Sequence, residues 1–178
     1  MKYKSRNQRL GWVIFLCYLV CLSYLLFFAE AFGRTGRENL NYAYNLVLFR
    51  EIRRFWMYRE QLGWAAVMLN LLGNIVCFMP FGFFLPIISR RAEKWYHTVG
   101  MGASFSLFIE SVQLVSKVGS FDVDDIFLNT IGVIFGYVIY ALIQRIRIKK
   151  RKKRRFLEKT VTVFDKDNAA FDKNGGNQ

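Results

Sequence analysis

Residues 62–88 read LGWAAVMLNLLGNIVCFMPFGFFLPII, an apolar stretch that contains no charged side chain. A helix needs about 20 mostly apolar residues to cross a hydrocarbon core that is about 30 Å thick. The stretch meets that length, so it predicts a membrane span rather than a core helix of a soluble domain. Pro80 lacks a backbone N–H and is expected to kink or break this helix, and the span is expected to end near Pro86.

Three further apolar stretches lie at residues 10–32, 96–115 and 126–143. Together with residues 62–88 they predict an all-α integral membrane bundle of about four transmembrane helices. A second interpretation of the first stretch is a cleaved signal peptide, because Ala29-Glu30-Ala31 resembles a cleavage site. Since the apolar core of a signal peptide is only about 7–15 residues long, an uncleaved first span is favoured.

The segment between the first two spans is mixed in character. From Asn45 to Tyr58, apolar residues recur at helical spacing, while Arg50, Arg53 and Arg54 occupy other positions. This pattern predicts a short extracellular amphipathic helix that lies at the membrane interface. A partly ordered loop is the alternative.

Most of the excess positive charge sits in one block. The chain has a net charge of +13, and the block from Arg145 to Arg155 holds nine basic residues and no acid, which leaves +4 for the rest. A concentrated juxtamembrane block favours contact with anionic lipid over nucleic-acid binding. The predicted organisation is a basic cytoplasmic N-terminus at 1–9, a membrane domain at 10–145, and a basic, largely disordered cytoplasmic tail at 146–178.

The distribution of lysine and arginine predicts the orientation. If both termini are cytoplasmic, the cytoplasmic segments carry sixteen basic residues and the opposite segments carry seven. Positively charged loops stay in the cytoplasm, so this count favours both ends inside. The sequence leaves the oligomeric state open.

Polar residues inside the spans mark the candidate site, because ionisable groups in a membrane are costly. Gly102, Ser106, Glu110 and Gln113 are spaced by four, four and three residues, which places them on one stripe of a helix. Glu110 is the main candidate for a catalytic or ligand-binding group, and Gln113 is a further candidate for ligand binding. Asn70, Asn74 and Asn129 lie at similar depth and are further candidates for ligand binding, although asparagines between membrane helices also serve as structural hydrogen-bonding groups.

Small residues accompany these asparagines. Gly132 and Gly136 form a small-xxx-small pattern that permits close helix packing, and Gly73 beside Asn74 is expected to do the same.

Three carboxylates precede the last span, at Asp122, Asp124 and Asp125. Aspartate is favoured at the N-terminus of a helix, but three are more than capping requires. They are therefore candidates for ligand binding and weak candidates for a metal site. Cys17, Cys21 and Cys77 lie in apolar stretches and have no metal-binding or disulfide pattern, and no cofactor is expected.

Three motifs in order resemble those of the VanZ-like family. The stretch NLLGNIVCFMPFGFFLP at 70–86 resembles its GN…F-x-P-x-G…LP motif, SLFIESVQ at 106–113 resembles S…E-x-x-Q, and FDVDDIFLNTIG at 121–132 resembles D-x-D-D…NT-x-G. The resemblance covers roughly residues 12 to 145. Leu48 stands where the family often has proline, and Ser120 stands where a basic residue is common.

The resemblance implies a role linked to teicoplanin-type resistance at the cell envelope. The first hypothesis is a non-catalytic protein that binds a lipoglycopeptide or a lipid-linked wall precursor in the outer leaflet. The alternative is a membrane-embedded enzyme in which Glu110 is the acid or base and the aspartates hold a divalent cation. A small transporter, which would require an oligomer, is a third possibility.

Overall fold

Six α-helices account for nearly all of the structure, a computed structural model that describes residues 6–33, 44–117 and 119–175. The elements follow in the order α1 (Arg6–Gly33), β1 (Tyr44–Asn45), α2 (Arg50–Met57), α3 (Arg59–Leu62), α4 (Trp64–Ile88), a 3₁₀ turn (Arg91–Glu93), α5 (Trp95–Ser116), β2 (Phe121–Asp122) and α6 (Val123–Gly175). The chain divides into two compact units, Met1–Tyr140 and Ala141–Gln178.

Four of the described helices are long and apolar enough to span a membrane. The qualifying segments are Arg9–Phe27, Val67–Ile88, Trp95–Ser116 and Val123–Glu158. Large apolar side chains on these helices face outward, among them Leu69, Phe108, Val115 and Phe135. A soluble protein rarely exposes so much apolar surface, whereas lipid tails accommodate it. The predicted all-α membrane bundle is therefore confirmed.

The core of the first unit lies where α1, α4, α5 and α6 meet. Phe15 and Leu22 of α1 are buried together with Phe78, Phe81 and Val133, among others. The hydroxyl of Tyr18 also donates a 2.7 Å hydrogen bond to the Cys77 carbonyl oxygen of α4. The first apolar stretch thus packs as a structural helix of the bundle.

Glycines bring α4 and α6 into close contact. A Cβ atom on Gly132 would overlap the Ile75 carbonyl, and one on Gly136 would overlap the Met79 carbonyl. The small-xxx-small prediction is confirmed for this pair. It is wrong for Gly73, where a Cβ atom would meet open space.

Two local expectations also differ from the structure. Helix α4 does not break at Pro80, because neighbouring groups in a bundle can compensate for the hydrogen bond that proline removes, and it ends at Ile88, close to the expected end near Pro86. The amphipathic helix begins at Arg50 instead of Asn45, since Tyr44 and Asn45 pair with Phe121 and Asp122 as two short parallel strands.

The second unit is helical through Gly175, where the sequence analysis expects a largely disordered tail. Lysine, arginine and glutamate have high helix propensity, and the segment contains no proline and no glycine before Gly175. The side chains from Arg145 to Glu158 are exposed.

Candidate functional site

The polar stripe of α5 faces the interior of the bundle. Gly102, Ser106, Glu110 and Gln113 are all buried, as their spacing predicts, and only 4% of the Glu110 surface is exposed. Because a helix packs one face against its neighbours, these four residues meet the other helices rather than lipid. The stripe is the inner wall of the candidate site.

Two side chains of the stripe are held by neighbouring helices. Ser106 Oγ accepts a 2.9 Å hydrogen bond from Asn129 Nδ2 of α6, and Gln113 Nε2 donates a 3.2 Å hydrogen bond to the Leu26 carbonyl of α1. Asn129 Oδ1 and Gln113 Oε1 are buried without a hydrogen-bond partner in the described part of the chain. These bonds connect α5 to both α1 and α6.

Glu110 is linked to the segment that begins α6. Its Oε2 atom accepts a 3.0 Å hydrogen bond from the backbone N–H of Asp122, which is itself 7% exposed. Asp122 Oδ1 in turn accepts bonds from the Asp124 backbone N–H at 2.8 Å and from Asn45 Nδ2 at 3.1 Å. A continuous hydrogen-bonded path therefore runs from the buried stripe to the strand pair.

Asp124 holds the beginning of α2. Its Oδ2 atom accepts hydrogen bonds from the backbone N–H groups of Glu51 at 2.8 Å and Ile52 at 3.2 Å, and its Oδ1 atom accepts one from the Phe49 backbone N–H. Phe49 supplies no side-chain cap, and it has a left-handed backbone with φ of 66°. A carboxylate at this end also complements the helix dipole. Asp124 therefore caps a helix far from it in sequence.

The predicted asparagines of α4 behave differently from each other. Asn74 Nδ2 donates a hydrogen bond to Asp125 Oδ1, which joins α4 to the first turn of α6. Asn70 is exposed and makes no hydrogen bond through its side chain to the residues that the structure describes. Asn74 therefore joins the hydrogen-bond network of the other candidates, whereas Asn70 stays outside that network.

The three aspartates are held in separate hydrogen-bonding arrangements in the part of the chain that the structure describes. Each carboxylate accepts hydrogen bonds from different donors: Asp122 from Asn45 and the Asp124 backbone, Asp124 from α2, and Asp125 from Asn74. Among the described residues, no three His, Cys, Asp or Glu side chains form a group that could hold a metal ion. The three carboxylates therefore act as hydrogen-bond acceptors in this structure.

A polar cleft of about 220 Å³ opens above this network. Asp122 forms part of its lining, so the buried path from Glu110 reaches the surface there. The other lining residues come from β1, α2 and the turn before β2: Tyr44, Asn45, Arg50, Glu51, Arg54 and Ser120. Ser120, which departs from the motif, therefore lies where charged side chains of α2 meet Asp122.

The charges in the cleft are partly desolvated. Burial raises the pKa of the Asp122 carboxyl, although its hydrogen bonds from Asp124 and Asn45 oppose the shift. Burial also raises the pKa of Glu51, against the attraction of Arg54, whose Nη2 lies 2.5 Å from Glu51 Oε2. Both carboxyl groups therefore hold a proton more readily than in water.

Sequence reasoning missed the contribution of α2 and β1. The sequence pattern indicates only an amphipathic segment around Asn45, Arg50, Glu51 and Arg54, yet these residues line the cleft beside Asp122. The parallel pairing of residues 44–45 with 121–122 brings them there. A two-residue strand has no periodic signal, so the sequence offered no indication beyond the charge of α2 itself.

Comparison with known proteins gives one result for the whole membrane region. The family model described as VanZ/LLP1 matches residues 15–144, well over half of the chain, and this range includes every residue of the candidate site. No curated protein and no solved structure matches the chain.

Proposed function

Because the chain belongs to the VanZ/LLP1 family, we propose that it is a multi-pass protein of the bacterial cell envelope that contributes to resistance to teicoplanin and related lipoglycopeptides. It does so by binding a ligand at the polar cleft, either the antibiotic itself or a lipid-linked wall precursor. The resistance role is what the family resemblance implies. The binding role is inferred from the site.

The proposed orientation has both termini in the cytoplasm. The excess of basic residues in the cytoplasmic segments supports this arrangement. The strand pair and α2 then lie on the outer side of the membrane, and the cleft opens where an extracellular glycopeptide arrives. Its position beside the membrane also suits a precursor that is anchored in the outer leaflet.

One observation carries the proposal: Asp122 lines the cleft and is bonded through its backbone to the buried Glu110. A charged group buried in a membrane span is costly and calls for a functional or structural reason. Here the buried carboxylate supports the floor of an accessible polar cleft. Convergent polar groups at the mouth of a helical bundle are a usual feature of ligand sites.

Binding is favoured over the metal-dependent enzyme because of how the carboxylates are used. Asp124 accepts hydrogen bonds from three backbone N–H groups, so both of its carboxylate oxygens are already bonded to the beginning of α2. Asp125 bonds Asn74. A cation at Asp124 would compete with these N–H donors for the carboxylate oxygens, whereas a ligand in the cleft would leave them intact.

The basic block supports a second contact with the membrane. The nine cations from Arg145 to Arg155 are exposed on a helix, and each one near an anionic surface contributes about 1 kcal/mol. We propose that this block binds anionic lipid of the cytoplasmic leaflet. Binding of the purified chain to vesicles with and without anionic lipid, at low and high salt, tests this directly.

Teicoplanin susceptibility in a sensitive Gram-positive host tests the main proposal. Cells carrying empty vector, wild type or Glu110→Gln are compared at matched membrane levels of protein. We expect the wild type to raise resistance and Glu110→Gln to return it to the vector level. Glu60→Gln, which changes an exposed acid of α3, is the matched control and should behave as wild type. If the wild type itself leaves susceptibility unchanged, the resistance role is wrong for this chain.

A further inference from the structure

The charged side chains of the cleft differ in the ion pairs and hydrogen bonds that they form. Glu51 pairs with Arg54 at 2.5 Å. Asp122 accepts hydrogen bonds from Asn45 and from the Asp124 backbone. Arg50 lines the same cleft and attracts the Glu51 carboxylate, but the ion pairs among the described residues join Arg54 to Glu51 and Arg59 to Glu60 and do not include Arg50. The cleft therefore presents one guanidinium, that of Arg50, that forms no direct ion pair with the described lining.

The backbone at Arg50 is fixed from two sides. Its own N–H donates a 3.3 Å hydrogen bond to the Val47 carbonyl, while the N–H groups of Phe49 and Glu51 on either side of it bond to Asp124. The turn before it is closed by the Val47 N–H, which donates to Asn45 Oδ1 at 3.1 Å. A side chain that starts from a fixed backbone loses less entropy when it binds a ligand.

We propose that Arg50 recognises an oxyanion group, a phosphate or a carboxylate, on the ligand that occupies the cleft. The guanidinium offers a planar fork of N–H donors, which matches both of these groups in a bidentate geometry. The side chains of Tyr44, Asn45 and Ser120 provide neutral donors around the same space. This assignment rests on the proposed function, because it names the chemistry of the ligand at that site.

The carboxylates of the cleft do not oppose an anion as strongly as their number suggests. Glu51 is paired with Arg54, and the Asp122 carboxylate accepts hydrogen bonds from two donors. Burial raises the pKa of both groups, while Arg54 attracts each carboxylate in its charged form. A cationic ligand would have to compete with Arg54 and would be repelled by Arg50, which makes the anion the better fit.

Direct binding to the purified full-length chain tests the assignment. The protein is placed in nanodiscs of phosphatidylcholine, so that no anionic lipid competes for the cleft. The probes are inorganic pyrophosphate, an N-acetylated dipeptide with a free carboxylate, and the same dipeptide as its amide. The first two probes separate a phosphate source from a carboxylate source, and the amide shows whether the charge is needed.

Three variants of one helix give the comparison. Arg50→Gln removes the charge, Arg50→Lys keeps the charge but loses the fork, and Arg53→Gln removes an exposed charge of α2 that does not line the cleft. We expect saturable binding of at least one oxyanion probe by the wild type. Arg50→Gln should weaken it about tenfold or more, Arg50→Lys should weaken it less, and Arg53→Gln should leave it unchanged.

Three results would overturn the assignment, and the last of them is wild-type binding of the probe by Arg50→Gln. The first is the absence of saturable binding of both oxyanion probes, and the second is an equal loss of affinity in Arg50→Gln and Arg53→Gln. Circular dichroism of each variant verifies that α2 and the bundle are retained. If Arg50→Gln loses the probe but still confers full teicoplanin resistance, the anion site stands and the resistance role does not depend on it. If it binds the probe as wild type while Glu110→Gln abolishes resistance, the proposed function stands without this assignment.

Discussion

The carboxylate of Asp124, in the first turn of α6, accepts a 2.8 Å hydrogen bond from the backbone N–H of Glu51 in the first turn of α2. Seventy-three residues separate the two in sequence. The first N–H groups of a helix have no partner within the helix, and a local side chain usually supplies one. Here a residue from the last membrane span does so, and it thereby fixes α2 over the end of the bundle.

Removing the Asp124 carboxylate should therefore loosen α2. We expect Asp124→Ala to lower the free energy of unfolding by about 1–3 kcal/mol, because the N–H groups of Phe49, Glu51 and Ile52 lose their acceptor. Denaturant titration of the purified protein in detergent measures the change. Glu60→Ala, in the exposed part of α3, should have little effect. Equal stability of the two variants would show that α2 does not depend on Asp124.

The sequence predicts the bundle well because membrane spans are recognisable from the length and composition of their apolar stretches. It also predicted the inward face of α5, since the spacing of Ser106, Glu110 and Gln113 places them on one side of any helix. It could not predict that Asp124 caps α2 or that Asn45 bonds Asp122. Both contacts join residues far apart in the chain through a two-residue strand pair, and no local pattern encodes such a pairing.

The same reasoning explains the two outcomes for glycine. A small-xxx-small pattern shows that close packing is possible, but only the neighbouring helix decides whether it occurs. Gly132 and Gly136 face the backbone of α4, whereas Gly73 faces open space. The asparagines divide similarly: Asn74 meets Asp125, and Asn70 lies exposed on the same helix.

Gly136→Ala and Gly73→Ala form a matched pair that tests this packing. A methyl group at Gly136 would overlap the Met79 carbonyl and approach the Phe83 nitrogen, both of which are backbone atoms that cannot rotate away. We expect Gly136→Ala to destabilise the protein by about 1–3 kcal/mol. Gly73→Ala should be neutral or slightly stabilising, since alanine favours the helix. Thermal unfolding in the same detergent compares them, and equal melting temperatures would argue against the close contact between α4 and α6.

Stability should depend on pH through Asp122. Burial raises the pKa of this carboxyl above its ordinary value of 3.8, so the folded state binds a proton that the unfolded state has already lost. The stabilising contribution is then complete below pH 3.8 and is lost as pH rises through the folded pKa. Glu51 shifts in the same direction, and Arg54 opposes both shifts.

Asp122→Asn isolates this effect, because the amide keeps an oxygen acceptor but does not ionise. We expect the free energy of unfolding of the wild type, relative to Asp122→Asn, to fall as pH rises above 3.8. Denaturant titrations of both proteins over the acidic range provide the measurement. A relative stability that increases with pH would mean that the hydrogen bonds to Asp122 and the attraction of Arg54 outweigh its burial.

The Ser106–Asn129 hydrogen bond separates structural from functional polar groups in the bundle. Such bonds between membrane helices contribute about 0.6 kcal/mol on average, because the alternative states also find partners. We therefore expect a double-mutant cycle of Ser106→Ala and Asn129→Ala to give a coupling energy of about that size. Teicoplanin susceptibility should remain at the wild-type level in both single variants, in contrast to Glu110→Gln. If Asn129→Ala abolishes resistance while the unfolding free energy barely changes, Asn129 acts in the ligand site rather than in helix packing. The buried Oδ1 atom of Asn129 has no hydrogen-bond partner among the described residues, so removing it breaks no bond within that part of the protein.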